Sequence, residues 1–297
     1  MSNLSVLGKN RRDESLYPLV INSTHLVPNA DNSRFRYQFP VGSAVFTGAK
    51  IAVSSVSVYY SWFNISASLG NNTYQFIWTD GSGSATYTVT MPDGFYTVSE
   101  LNSYLQFVCV TNGLYLVDGS GNYVYYLEFV ENPSRYAVGF NSYPFPTALP
   151  AGYTNPSGLL FPAVASTPQL VIQNNDFQNI IGFTAGTYPT AIQATNYSVI
   201  SSFTPQITPI QSVILACNLV NNQYSNPPTV IYSFSPSNTQ FGSLINSAPN
   251  ELAFIDIQDG IYANIDVQFL DQTFQPISLN DTNLVIILLV KETRSTF

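Results

Sequence analysis

The stretch "NLVIILLVKETRSTF" contains seven consecutive apolar residues, Leu284 to Val290, bounded by a polar turn and a charged segment. Crossing a bilayer as a helix takes ~20 apolar residues, and Ser, Thr, Asn and Gly interrupt every other apolar run in the chain. The run is β-rich, of strand length and flanked by turn residues, which predicts a strand rather than a helix. Successive strand side chains point to opposite faces. Seven apolar residues in a row therefore ask for cover on both faces, the second supplied by an insertion or a neighbouring subunit.

Elsewhere, apolar and polar residues alternate between turn signals. Leu16 to Val27 reads as one strand. "RFRYQFP" sets Phe35, Tyr37 and Phe39 on one face and Arg34, Arg36 and Gln38 on the other. In "KIAVSSVSVYYSWF" the phase changes at Ser54 and Ser55, which predicts a bulge. Asp80-Gly81-Ser82-Gly83 and Asp118 to Asn122 are hairpin tips. Later strands are "YSVISSF", "IQSVILACNLV", "TVIYSFS", "ELAFIDI" and "YANIDVQFLD".

One long helix stands out, near residues 97–110. Thr97 or Ser99 can cap it, Val98, Leu101, Leu105 and Val108 fall at helical spacing, and Asn112-Gly113 closes it. A single helical turn is expected at Asp176 to Ile181. Residues 141–168 are too rich in proline for a sheet and form a long loop, a length that commonly carries function. Many strands and one helix make an all-β sandwich or barrel.

Charged residues are only 9% of the chain and aromatics 14%, against ~25% charged in ordinary soluble domains. With 45% hydrophobic residues the chain folds, and an uncharged aromatic surface suits burial against neighbours. The net charge of −8 argues against specific nucleic-acid binding. Lys9, Arg11 and Arg12 are locally basic, but Asp13 and Glu14 follow at once. These charges sit where a signal peptide needs its apolar centre, so no signal peptide and no membrane span are expected, and synthesis in the cytosol is.

Bond-making chemistry finds few candidates. The sole histidine, His25, has no second histidine or cysteine at ligand spacing, so no metal and no cofactor is expected. Cys109 and Cys217 lie in separate apolar stretches and read as buried free thiols. Glu100, Glu128, Glu131, Asp176, Glu251, Asp256, Asp259, Asp266 and Asp271 are scattered singly. Asp256 and Asp266 could pair across strands as glycoside hydrolysis requires, but their alternation pattern reads as a solvated sheet face. One Asp beside Gly in "QDG" lacks the ligand count for calcium. The triplets at Asn22, Asn64, Asn71, Asn196 and Asn280 have the form of glycosylation sites, in a chain where such triplets arise by chance. The reading is no enzyme and no catalytic, cofactor or metal residues.

A hairpin followed by "MPDGFYTVSELNSYLQ", then "NDFQNIIGFTAGTYP", "IQSVILACNLVNN" and "FLDQTFQPISLNDTNLVIILLVKE" form an ordered set. In that order the chain resembles the penton, or minor capsid, proteins of mavirus-type virophages and of the related polinton and adintovirus elements. The blocks cover about a third of the chain, and residues 141–168 match none of them.

The resemblance implies a single jelly-roll sandwich, assembled as a homopentamer at the five-fold vertices of an icosahedral capsid among double-jelly-roll major capsid proteins. Its location would be the virion, after assembly in the host cytoplasm. It further implies a flexible arm at 1–15, then a jelly roll over 16–297 with an insertion or long loops at about 112–205. The alternative function is a receptor- or glycan-binding jelly roll, marked by Trp62 or Trp78 exposed beside carboxylates.

Overall fold

The computed structural model describes residues 13–29 and 31–294. In chain order the strands are β1 (Asp13–Asn22), β2 (Arg34–Gln38), β3 (Ala44–Phe46), β4 (Lys50–Tyr59), β5 (Thr73–Asp80) and β6 (Gly83–Thr90). Helix α1 (Val98–Thr111) follows, then β7 (Leu116–Val117), β8 (Tyr123–Val124), β9 (Leu127–Asn132), β10 (Ala137–Ser142) and β11 (Gln169–Ile172). After α2 (Phe177–Ile181) come β12 (Gly186–Tyr188), β13 (Tyr197–Ile200), β14 (Val213–Cys217), β15 (Val230–Phe234) and β16 (Leu244–Ser247). The last are β17 (Ile255–Asp256), β18 (Gly260–Tyr262), β19 (Asn264–Leu270) and β20 (Leu284–Arg294).

Two compact units result: Met1–Trp62 with Ile210–Phe297, and Phe63–Pro209. The second unit begins well before residue 112, so that α1 and the β5–β6 hairpin belong to it. Residues 13–15, expected in a flexible arm, are paired in β1. The rest of that arm, Arg11 and Arg12 included, lies outside the described residues.

In the first unit one sheet runs β1-β20-β4-β16, with β17 also on β4, and the other runs β15-β14-β19-β2. Among these eight main strands the first pairs the last, the second the seventh, the third the sixth and the fourth the fifth, all antiparallel. That is one long hairpin rolled on itself, the topology of a jelly roll. Each sheet buries one face: Ile51, Val53, Val56, Val58, Ile286 and Leu288 in the first, Phe35, Leu215, Ile265, Val267 and Phe269 in the second.

The bulge falls where the phase change in β4 placed it. Ile287 pairs Ser55 and Leu288 pairs Val53, which leaves Ser54 as the extra residue. Without it, Val56 and Val58 would turn to the opposite face from Ile51 and Val53.

The strand expected over Leu16 to Val27 ends at Asn22. There the Asn22 side chain caps a 3-10 turn, Ser23–His25, and the backbone N–H of Asn22 donates to His25 Nδ1 at 3.2 Å. Strand β16 has no counterpart in the sequence reading. Only four residues long and at a sheet edge, it has a single buried residue, Ile245, too short a pattern to register as alternation.

The second unit holds a β12-β11-β5-β6 sheet, a β13-β10-β9 sheet and the β7–β8 hairpin around one aromatic-rich core. Thr97 and Glu100 form a reciprocal capping box on α1, with the Thr97 N–H donating to Glu100 Oε2 at 2.7 Å. The helix buries Val98, Leu101, Leu105 and Cys109, so the buried stripe ends on Cys109 and Val108 is only partly buried. The proline-rich loop is packed rather than free. Phe145 bridges Ser166 and is fully buried, Phe161 stacks on Phe145 at 5.4 Å, and Thr154 bridges Val117. Gly81 accommodates this loop closely, since a Cβ there would lie 2.6 Å from the Phe161 carbonyl oxygen.

Candidate assembly surface

The two sheets of the first unit turn very different faces outward. On β1-β20-β4-β16, the outward residues of the central strand β20 are Val285, Ile287 and Leu289, alternating with buried Leu284, Ile286, Leu288 and Val290. Cross-strand partners extend the apolar surface, with Val20 opposite Ile287 and Pro18 opposite Leu289. Leu16 is 55% exposed, Val20 46%, Leu244 43% and Val285 40%. Of the two covers expected for the closing strand, the chain supplies the inner one in full and leaves Val285, Ile287 and Leu289 on the outer face partly exposed, where a neighbouring subunit would supply the second. A sheet needs one apolar face to fold on a core, and this one has two. Burying the remainder of each half-exposed aliphatic chain against a partner is worth about 1 kcal/mol.

Charge on this face is confined and self-neutralised. Lys291 Nζ lies 2.6 Å from Glu14 Oε2 and 5.5 Å from the Phe254 ring centre, and Lys50 Nζ lies 3.0 Å from Asp256 Oδ1. Since Lys50 pairs with Lys291 in the β4–β20 register, both ion pairs sit at one end of the strands.

The outward face of β15-β14-β19-β2 carries the charge instead. Asp266 accepts from Arg36 Nε at 2.7 Å and Nη2 at 2.9 Å, and from Arg34 Nη2 at 2.6 Å. The hydrogen bond from Arg36 comes first among the causes that hold its carboxyl below the usual carboxylate range. Partial burial opposes that shift, and Arg34 adds to it. The alternation of "RFRYQ" built this cluster, because it puts both arginines on the face opposite Phe35.

Residues considered for chemistry are dispersed. Asp256 and Asp266 lie on different sheets and each is taken by a basic partner, so they form no catalytic pair. Glu100 is spent on the α1 cap, Asp118 and Asp271 on their own turns, and Asp259 accepts from the Gly48 N–H at 2.8 Å. Glu128 Oε1 accepts from Tyr143 Oη at 2.6 Å and Asn141 Nδ2 at 3.0 Å. Asp176 precedes α2, and Glu131 and Glu251 stand singly on the surface.

Cys109 and Cys217 are free and buried, in different units, and burial pushes both thiols up to about 12. Trp62 is 2% exposed and Trp78 1%, so neither forms the exposed aromatic platform that marked the glycan-binding alternative. Asn64 and Asn71 are buried, each donating to backbone carbonyls. Among the described residues no group of three His, Cys, Asp or Glu side chains could hold a metal ion, and no helix is long and apolar enough to cross a membrane.

No family model and no curated protein matches the chain. Among solved structures it is similar to the mavirus penton protein, in a selenomethionine crystal structure, at 10% identity and a TM-score of 0.42, covering 95% of this chain and 100% of that one. It is also similar to a chain of the Sputnik virophage, from a cryo-EM structure at 3.5 Å, at 12% identity and a TM-score of 0.36, covering 95% and 98%. At these levels of likeness the jelly roll rests on the chain's own strand pairings.

Proposed function

We propose that this protein is a structural subunit of an icosahedral viral capsid, forming the homopentameric vertex among double-jelly-roll major capsid proteins. The observation that carries the reading is the partly exposed aliphatic stripe that β1 and β20 turn outward, Leu16, Pro18, Val20, Val285, Ile287 and Leu289, bordered by Ser55, Ser57 and Asn246. A charge content of 9% and the resemblance of the chain's ordered sequence blocks to virophage pentons support it. A five-fold ring needs a head-to-tail contact that closes, and an aliphatic stripe whose few charges are paired at one end supplies one half of such a contact. The role is mechanical and asks for no turnover, and its place is the virion, after assembly in the host cytoplasm.

The decisive measurement is the mass of the purified oligomer. Five chains of 32.6 kDa make about 163 kDa (5 × 32.6). Mass photometry and imaging at assembly concentrations that show only monomers, with and without the major capsid protein, overturn the proposal.

A further inference from the structure

Strand β2 ends its sheet, and only half of its outer edge is used. Val27 N–H donates to the Arg34 carbonyl at 2.9 Å and Leu26 bridges Phe35, after which the neighbouring segment turns away into the 3-10 turn at Ser23–His25. On the other side, Phe39 N–H donates to the Ala263 carbonyl at 3.3 Å, just before β19. Backbone groups of alternate strand residues point to opposite edges. Arg36 and Gln38, in phase with Arg34, therefore direct their N–H and C=O groups to the open edge. The Leu26–Phe35 bridge sets the Arg36 N–H toward the His25 carbonyl, so the groups of this edge with no described backbone partner are the Arg36 C=O and the N–H and C=O of Gln38.

This open edge is one wall of a groove of about 470 Å³, lined by Arg36 and Gln38 on one side and by Thr24, His25 and Leu26 on the other. Unpaired strand edges invite another strand, and the groove's charge selects which. Two arginines share one carboxylate on this face, a surplus of one positive charge from Arg34, Arg36 and Asp266. Arg36 engages Asp266 through Nε and Nη2, which leaves Nη1 uncommitted among the described residues. Across the groove, His25 Nδ1 lies 3.2 Å from the Asn22 backbone nitrogen and 3.0 Å from Asn22 Oδ1, which hold the ring at the groove wall.

We propose that the groove beside β2 captures an extended acidic segment of a partner polypeptide. The segment adds as a strand to Arg36 and Gln38 and sets a carboxylate against the Arg36 guanidinium. This site is distinct from the apolar face of the other sheet and does not require the capsid role.

The test uses the full chain and a labelled, N-acetylated hexapeptide alternating threonine and glutamate, read by fluorescence anisotropy. We expect saturable binding, weaker by about tenfold or more when lysine replaces glutamate. Because an edge strand bonds with alternate residues only, N-methylating one phase of the peptide's amides should leave binding intact and methylating the other should abolish it. These comparisons alter only the peptide and leave the protein's fold untouched. On the protein, Gln38→Pro and Arg36→Gln should each lose binding about tenfold, with circular dichroism confirming the fold. Equal affinity for acidic and basic peptides, indifference to both methylations, or no saturation by the acidic peptide up to about 1 mM overturns the proposal.

Discussion

The sandwich presents two outer faces of opposite character. The β1-β20-β4-β16 face is aliphatic, with its few charges already paired at one end, and the β15-β14-β19-β2 face holds an arginine-aspartate-arginine cluster. The second face is not wholly polar, since Ile214, Ala216 and Leu270 cluster with Val230 on the side that also bears Asp266. Exposed apolar side chains also occur singly on loops and on the second unit, such as Val41, Phe107 and Leu160, but Leu16, Val20, Leu244 and Val285 are brought together on one sheet. A charged face costs desolvation when it is covered, and an aliphatic face gains from it.

The sharpest way to break the comparison is to charge the apolar face. The double change Val20→Asp and Ile287→Asp places two carboxylates directly opposite each other. It should convert the proposed pentamer of about 163 kDa (5 × 32.6) to monomers, because an unpaired charge in an interface costs several kcal/mol. The monomer itself should retain its β-sheet circular dichroism. Mass photometry beside circular dichroism separates the two effects, and an unchanged pentamer would remove this face from the assembly.

Next in size is Asp266→Asn on the other face. It removes the negative charge and one of the two acceptor oxygens between Arg34 and Arg36 and should cost about 1–3 kcal/mol in urea denaturation, with the oligomer mass unchanged. A dissociated oligomer would instead make the charged face an interface.

The same carboxylate makes a pH signature. Its folded pKa is depressed, so the stability it contributes is present above the unfolded value of about 3.9 and is lost as pH falls through the lower folded value. Urea titrations below about pH 4 should show a steeper loss in the parent protein than in Asp266→Asn. Parallel curves would mean that the cluster does not stabilise the fold.

Salt sharpens the contrast further, since apolar contacts are not screened. Raising NaCl from about 0.1 to 1 M should leave the proposed pentamer assembled, as checked by sedimentation. The smallest effect is expected from Lys50→Met at the end of the apolar face. Its pairing with Asp256 is between largely exposed groups, so stability should change by no more than about 0.5 kcal/mol.

Much of this was legible in the sequence because the relevant signals are local. Period-two alternation predicted β2, β4 and the face on which Arg34 and Arg36 stand, the Ser54-Ser55 phase change predicted the bulge, and Thr97 with Glu100 marked the start of α1. The open apolar face was half legible. The run Leu284 to Val290 showed that a second apolar face exists, but not that the chain leaves it open. Leu16, Val20 and Leu244 join that face only through pairings that span most of the chain, such as Val20 with Ile287.

The sequence by itself determined that this is a β protein, where its hairpins turn, and which side of each strand is apolar, because each of these depends on residues a few positions apart. The tertiary structure alone decided that Arg34, Arg36 and Asp266 meet and that strand 16 closes a sheet edge. It also decided that the edge of β2 is left unpaired beside a groove. Those outcomes depend on which distant strands become neighbours, and that choice is made by the packing of the whole sandwich rather than by any local pattern.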